Sequence, residues 1–273
     1  MFIHPNQVPD FLLADTEMNA ITYSLAGNPD CYGISWKILG MNFESYISDV
    51  EPKILPGKWR LIMWQRIEKN DKPKGWHNFI LGTQMVDMGY AEIKDSENYW
   101  KNWDGDARRN RKRFMNDERF VIESVSYQKY IDAYVKIEEL KSIRPRFLKR
   151  LEKKEKIFSK QIEYSLAVEK STGKVFAGLA TLDLPSISQS IHHGAFFDHT
   201  MPHSSAGTGL VDHWFQSCIQ KNIKYLNFGV FWSPGQPKSW KGFSNFKSQF
   251  GIHMIKFPKL LVKISKGPDK IIE

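Results

Sequence analysis

The most informative stretch of the chain, residues 204–230, reads SSAGTGLVDHWFQSCIQKNIKYLNFGV. Small residues at 204–209 predict a loop, and apolar residues at three- and four-residue spacing then predict a helix. The apolar face of this helix contains Leu210, Val211, Trp214, Phe215 and Cys218. A strand is predicted over residues 225–230. A loop, a helix and a strand in this order indicate a helical crossover between strands of one sheet.

Flanking segments extend this pattern on both sides. We predict strands over residues 120–122, 163–169, 174–184, 191–197, 253–257 and 260–264, and helices over residues 127–140, 145–160 and 243–250. Residues 96–116 are predicted to be helical, with a break at residues 104–106. Three strands before a crossover helix predict an α+β fold, with a mixed, mostly antiparallel sheet flanked by helices. Within the first hundred residues, only segments 59–64 and 79–82 are typical of strands.

Composition excludes several classes of protein. The chain has 273 residues, of which 41% are hydrophobic and 14% aromatic, so it can bury a core and is not intrinsically disordered. It has no apolar run of the roughly 18 residues that a membrane span needs, and its N-terminus lacks the features of a signal peptide. Cys31 and Cys218 are the only cysteines. We therefore expect a soluble cytoplasmic protein with reduced thiols and no transmembrane segment.

Positive charge is concentrated in the middle of the chain. The net charge is +9, and residues 101–161 contribute 18 basic against 10 acidic side chains. The densest cluster contains Arg108, Arg109, Arg111 and Lys112. Because arginine donates paired hydrogen bonds to phosphate, this cluster is a candidate polyanion-binding surface. A basic helix face that is merely solvated explains the pattern equally well.

Gly207, Thr208 and Gly209 are the candidate site for the phosphates of a donor molecule. Glycines let a ligand approach the backbone, and the N-terminus of the following helix offers unpaired N–H groups and partial positive charge. The alternative is an ordinary turn before a helix. There is no HExxH motif and no Cys/His cluster with ligand spacing, so we expect no metal site.

Three residues are candidates for the chemical step. An ammonium at Lys247 can stabilise an oxyanion or pair with a donor phosphate, although an exposed helical lysine is the alternative. His193 is a candidate general base because imidazole titrates near neutrality, and strand alternation places it and His192 on opposite faces. A packed or exposed histidine is the alternative. Asp198, at the end of the same strand, is a competing base, and acyl transfer can also proceed without a protein base.

A rigid aromatic loop precedes the Lys247 helix. Trp232 and Trp240 are candidates to line a substrate pocket, together with Asn227 and Phe246. The alternative is that these aromatic side chains cap the core.

Three segments resemble a known family. Residues 107–112, ARRNRK, resemble the Arg-rich helix at which Fem-type chains pass between their halves. Residues 209–229 resemble that family's helix-then-strand core. Residues 242–251, GFSNFKSQFG, resemble its C-terminal Gly, Phe-Lys and Phe-Gly signature, the most specific of the three. The chain is therefore similar to the GNAT acyltransferase fold, and more closely to its Fem-type (FemAB-like) aminoacyltransferase branch.

This resemblance implies an architecture and an activity. It implies an abbreviated GNAT-like half over residues 1–116 and a full acyltransferase half over residues 117–273. The implied reaction moves an acyl or aminoacyl group from charged tRNA or acyl-CoA to an amine, such as that of a peptidoglycan precursor. The donor is then a co-substrate, and no tightly bound cofactor is expected. Two positions differ from the usual family pattern: Ser204, where Gln or Arg is common, and Asn227, where many Fem relatives have Asp.

A different class of protein is the alternative. A non-catalytic RNA-binding or interaction module on a degenerate GNAT scaffold predicts salt-sensitive RNA binding without catalysis. A structural partner of the cell-wall machinery is a third interpretation. DNA is not an expected partner.

Overall fold

The computed structural model describes residues 2–3, 23–24, 32–48, 50–53, 59–66, 71–79, 87–137, 144–185, 188–200, 205–234, 238 and 240–266. The chain divides into two compact units. The first unit comprises residues 1–89, 230–244 and 253–273, and the second comprises residues 90–229 and 245–252.

The described residues form fourteen strands and five α-helices. The strands are β1 (Phe2–Ile3), β2 (Tyr23–Ser24), β3 (Tyr32–Ile38), β4 (Met41–Ile47), β5 (Trp59–Gln65), β6 (His77–Asn78), β7 (Asp87–Glu92), β8 (Phe120–Val125), β9 (Ile162–Glu169), β10 (Val175–Leu184), β11 (Gln189–Phe197), β12 (Tyr225–Phe231), β13 (His253–Lys256) and β14 (Leu261–Lys266). The helices are α1 (Gly105–Met115), α2 (Tyr127–Val135), α3 (Arg144–Phe158), α4 (Ala206–Gln220) and α5 (Trp240–Ser248).

The sheet of the second unit follows the order β7-β12-β11-β10-β9-β8. Strands β8 to β11 form an antiparallel meander, and tight turns suffice for such neighbours. The turn between β9 and β10 places Gly173 at φ +68°, a backbone conformation that glycine adopts without strain. β12 then pairs in parallel with β11, which requires a crossover connection, and α4 provides it.

Aromatic side chains fill both faces of this sheet. On one face, the sheet glycines leave room for rings, since a Cβ at Gly194 would lie 2.8 Å from the Phe147 ring of α3. Tyr134 of α2 stacks on Phe147 with ring centroids 4.3 Å apart. On the other face, Phe228 of β12 packs against Trp214 of α4 at 4.9 Å. The second unit therefore has a helix layer on each side of its sheet.

The first unit contains a six-stranded sheet in the order β2-β3-β4-β5-β14-β6. β4 and β5 are parallel, and the other neighbours are antiparallel. One face buries Tyr46, Ile62, Trp64, Trp76 and Leu261. Because the C-terminal strand β14 pairs with β5, the end of the chain belongs to the first unit. The compact units therefore divide the chain differently from the predicted halves at residues 1–116 and 117–273.

The predicted α+β class is confirmed, as is the predicted element order from residue 96 onward, whereas β3, β4 and β7 were not predicted. The predicted break in the helix at 96–116 is also present, as a 3-10 turn at Tyr99–Asn102 followed by α1. Two helix boundaries differ, since α4 begins inside the predicted loop 204–209 and α5 lies at 240–248 rather than 243–250. Residues 80–82 of one predicted strand and 138–140 of one predicted helix lie outside the described residues. In the described part of the chain, every helix is too short or too polar to cross a bilayer.

Candidate active site

The strands β11 and β12 separate soon after they begin to pair. Their parallel register comprises three pairs, of which the last is Ile191 with Asn227. Beyond it, β11 continues to Phe197 and β12 to Phe231, and these described residues form no further pairs with each other. Beyond this pair, the two strands no longer bond to each other's backbone N–H and C=O groups. We call this divergence the strand fork.

A β-bulge lies in β11 next to the strand fork. The register with β10 passes from His192 directly to Gly194, so His193 is the extra residue. His193 is buried. A bulge disrupts the strict alternation of side chains from which opposite faces were predicted for His192 and His193. His192 lies on the α4 face, where its ring centroid is 6.3 Å from that of Trp214.

Asn227 contributes a buried amide donor at the strand fork. The side chain is 1% exposed, and its Oδ1 accepts the N–H of Gly229 at 2.8 Å. This bond fixes which end of the amide is the donor. Nδ2 has no hydrogen-bond partner within the described chain. A Cβ at Gly229 would meet no atom within 4 Å, so space is open beside the strand.

Lys247 is buried against the same strand. It lies in the last turn of α5, and its Nζ donates to the carbonyl oxygen of Phe228 at 2.6 Å. Since Lys247 is buried, the alternative of an exposed helical lysine is wrong. The side chains of Asn227 and Lys247 therefore bond to neighbouring backbone groups of β12, namely the Gly229 N–H and the Phe228 carbonyl.

The candidate phosphate site is the first turn of α4. Ser205 precedes the helix in a left-handed conformation at φ 46°. Gly207 and Thr208 follow within the first turn, where backbone N–H groups have no partner inside the helix. The Oγ of Ser205 donates to Oδ1 of Asn110 at 3.4 Å, which places α1 beside this helix N-terminus.

The two glycines of this turn also have a packing role. A Cβ at Gly209 would overlap the ring of Phe114, which is how α1 and α4 approach closely. A Cβ at Gly207 would lie 3.3 Å from the Phe246 ring. Both glycines thus admit aromatic side chains, a role that the sequence alone did not indicate. Any phosphate bound here would depend on the N–H groups of the turn.

Asp198 forms a turn at the end of β11. Its Oδ1 accepts the backbone N–H of Thr200 at 2.9 Å and the Thr200 hydroxyl at 2.5 Å. Lys174 lies 3.4 Å from Oδ2. Burial raises the pKa of Asp198, but the Thr200 hydrogen bonds and the Lys174 charge outweigh it, so the pKa is lowered. A carboxylate with a lowered pKa is a weak general base, which makes Asp198 the less suitable of the two candidate bases.

The four candidate pocket residues fall in different units. Asn227 and Phe246 belong to the second unit, and Trp232 and Trp240 belong to the first. Phe246 packs against Phe250 at 5.1 Å.

The two tryptophans each have a partner within the first unit. The Trp232 ring carries the Lys241 ammonium at 4.3 Å, and the ring of Trp240 lies 5.8 Å from that of Phe243.

The basic cluster on α1 divides between two faces of the helix. Arg111 points inward, where its Nε lies 2.5 Å from Oδ1 of the buried Asp212. Four cations are exposed on the outer face of α1: Arg108, Arg109, Lys112 and Arg113. We call these four residues the basic face of α1. Arg109 also pairs with Asp106.

The sequence prediction left Arg113 out of the polyanion-binding set and did not identify Asp212. Ala107 and Phe114 mark the inward side of α1, and at 100° per residue they place Arg111 near that side and Arg113 on the other. The sequence of α1 therefore already contained the information that separates Arg111 from Arg113. The indication for Asp212 was weaker: a carboxylate among the apolar residues of α4 requires a buried partner.

Comparisons with known proteins give structural likeness only. No family model and no curated protein matches the sequence. A crystal structure of FemX is similar with a TM-score of 0.63 at 9% identity, covering 97% of each chain. L-PGS from Bacillus licheniformis is similar with a TM-score of 0.52 at 11% identity, covering 97% of this chain and 94% of that one. The C-terminal domain of a protein assigned as a lysylphosphatidylglycerol synthetase in Agrobacterium fabrum has a TM-score of 0.56 at 11% identity, covering 92% and 87%.

These likenesses identify the fold. The chain has the fold of FemX and of these synthetase structures, which agrees with the Fem-type fold that its sequence resemblance implied. At these identities the likeness does not extend to substrate, donor or acceptor.

Proposed function

We propose that the chain is an N-acyltransferase that moves an acyl or aminoacyl group from an activated, phosphate-bearing donor to an amine. The observation that carries this proposal is the strand fork with its buried Asn227 donor. Buried polar groups without partners are rare in folded proteins. The unpartnered Asn227 donor lies where two strands separate, and this supports a binding site in which a ligand oxygen accepts its hydrogen bond.

The edges of the strand fork support a donor arm with amide or ester groups. An extended arm can enter between two separated strands and pair with backbone groups as another strand would. The bulge at His193 re-aims the backbone at this position. A carbonyl carbon held there is open to attack by the amine, and expulsion of the donor's oxygen or sulfur completes the transfer.

Lys247 is the proposed stabiliser of the charge that develops on the carbonyl oxygen. Its bond to the Phe228 carbonyl fixes the ammonium in advance, and preorganised donors stabilise transition states because they need no reorganisation. The general base, if the protein supplies one, is His193, since the pKa of Asp198 is lowered.

The basic face of α1 favours charged tRNA over acyl-CoA as the donor. Asn110, on α1, contacts the residue that precedes α4, so the helix that carries these four cations lies beside the proposed phosphate site. Arg108 and Lys112 are one helical turn apart, as are Arg109 and Arg113, and like charges at this spacing destabilise a helix. A polyanion longer than a single pyrophosphate would neutralise them.

The experiment supplies the purified chain with tRNA charged with radiolabelled amino acids, or with labelled acetyl-CoA, and a soluble muramyl-peptide acceptor. We expect label in an amide product from charged tRNA. Label only from acetyl-CoA would assign the donor to the CoA class. No label from either donor, with tRNA still bound, would favour the non-catalytic RNA-binding module.

Binding of tRNA tests the basic face of α1 separately. Replacing Arg108 and Lys112 with serine should weaken tRNA binding and reduce the salt slope by roughly 0.7 to 0.9 for each phosphate that the protein no longer neutralises. Lys170→Ser, at another exposed lysine of the second unit, is the matched control. Equally weakened binding in the control and the double variant would contradict a role of this face in tRNA binding.

A further inference from the structure

The hairpin between β3 and β4 ends in an exposed leucine. Leu39 and Gly40 form its two-residue turn with φ values of 50° and 83°, and Ile38 pairs with Met41 to close it. Asn-Gly is the favoured sequence for such a turn because both positions need positive φ. Leu39 is strained there, and its side chain is 102% exposed. Leucine at this position therefore serves neither the turn nor the core.

Three further apolar side chains lie on one face of the sheet near this tip. Asn42 pairs with Arg60, which places Met41 beside Trp59. Leu61, two residues along from Trp59, pairs with Ile264. Met41, Trp59 and Ile264 are 50%, 62% and 68% exposed. Side chains of paired residues share a face of the sheet, so these three side chains form one patch. We call this patch and Leu39 together the hairpin-tip patch.

Exposed lysines accompany the hairpin-tip patch. Lys266 pairs with Trp59 in the register of β14 and β5 and follows Ile264 on the same face. Lys37 pairs with Asn42 in the register of β3 and β4, so it lies on the opposite face of the hairpin, close to the tip. Both lysines are exposed. An apolar patch with cations at its margin matches an anionic lipid surface, in which headgroup charge lies outside the hydrocarbon.

We propose that the hairpin-tip patch docks the protein on an anionic membrane surface. Leu39 and Met41 enter the acyl boundary, Trp59 lies at headgroup level, and Lys266 and Lys37 contact anionic headgroups. Tryptophan is enriched at that depth because its ring is amphipathic. The backbone of the tip can enter because the Ile38–Met41 pair satisfies its polar groups internally. This proposal does not rest on the proposed transfer activity.

The geometry favours a bilayer over a second protein. A side chain as exposed as Leu39 projects beyond all its neighbours. A protein interface needs a complementary surface packed around such a projection, whereas a fluid hydrocarbon phase accommodates it without a preformed pocket.

The test is sedimentation of the full chain with two kinds of vesicle, phosphatidylcholine alone and phosphatidylcholine mixed with phosphatidylglycerol. We expect about tenfold stronger binding to the anionic vesicles, weakened by salt. Leu39→Asn should reduce binding about tenfold without loss of fold, since Asn-Gly suits the turn. Lys266→Glu should reduce binding to anionic vesicles only. Val50→Ser, at an exposed valine beyond the opposite end of β4, should leave binding unchanged.

Depth is measured by fluorescence quenching with brominated lipids. Bromines should quench the wild-type signal more than that of Trp59→Phe. Absence of sedimentation with anionic vesicles would overturn the proposal, as would binding that Leu39→Asn leaves intact. A lipid-free dimer that Leu39→Asn dissociates, with no vesicle binding, would overturn it in favour of a second copy of the chain.

Discussion

Arg111 and Asp212 join α1 to α4 through a buried ion pair, with Nε 2.5 Å from Oδ1. Tyr99 donates its hydroxyl to the same carboxylate oxygen at 2.7 Å, and the Arg111 guanidinium lies 5.3 Å above the Trp100 ring. The pair keeps α1 on α4, and the four cations of the basic face of α1 remain exposed. One member of the predicted polyanion-binding set is therefore part of the framework that presents the others.

Arg111→Ala should destabilise the fold strongly. Removing one partner leaves Asp212 as an uncompensated buried charge, and the expected loss is about 3 kcal/mol in the free energy of unfolding. Chemical denaturation at neutral pH measures it. Arg108→Ala, an exposed arginine on the same helix, should change the free energy of unfolding by no more than about 0.5 kcal/mol. Similar losses in both variants would show that the ion pair does not connect the helices.

Gly209→Ala should also destabilise the fold. The added Cβ would overlap the Phe114 ring, and overpacking of this kind costs about 1 to 3 kcal/mol. Combining Gly209→Ala with Phe114→Leu should recover part of the loss, which a double-mutant cycle quantifies. Gly242→Ala is the control on α5, because a Cβ there meets nothing within 4 Å. A control as destabilised as Gly209→Ala would contradict the packing explanation.

His213 should make stability depend on pH. Burial lowers its pKa below the ordinary value of 6.5, although Glu163 and Asp212 oppose this and Lys221 adds to it. The folded state therefore holds His213 neutral, while the unfolded chain takes up a proton near pH 6.5. This contribution is fully present above that pH and is lost as the pH falls below it.

The free energy of unfolding, measured between pH 7.5 and 5.5, tests the direction of this pH dependence. The wild type should lose more stability over this range than His213→Gln, which cannot titrate. If the free energy of unfolding fell equally with pH in both proteins, His213 would not be the cause of the pH dependence.

Sequence periodicity was enough for the second unit because its elements are formed from local patterns. The apolar spacing of α4 and the alternating strands on either side of Gly173 each identify their element without knowledge of distant partners. The break before α1 was visible because Gly105 interrupts a helical pattern.

Features that depend on pairing between distant parts of the chain could not be predicted from the sequence. β14 pairs with β5 across almost two hundred residues, and nothing in either strand identifies the other, so the division into units could not be predicted. The bulge at His193 is a property of the register with β10, which the sequence of β11 alone does not fix. Lys247 was selected through a resemblance, and its burial and its bond to Phe228 came only from the structure.

Turnover of Lys247→Met tests the proposed transfer most directly. Methionine keeps the length and the apolar part of the side chain but removes the charge, and Lys259→Met at an exposed lysine is the control. Donor binding and the melting temperature are measured alongside, so that a folding defect is recognised. Removing one preorganised donor typically lowers the rate about 10²- to 10³-fold. We expect a loss of that size in amide formation from charged tRNA, with donor binding retained and the control unaffected, whereas wild-type turnover in a folded Lys247→Met protein would contradict the account.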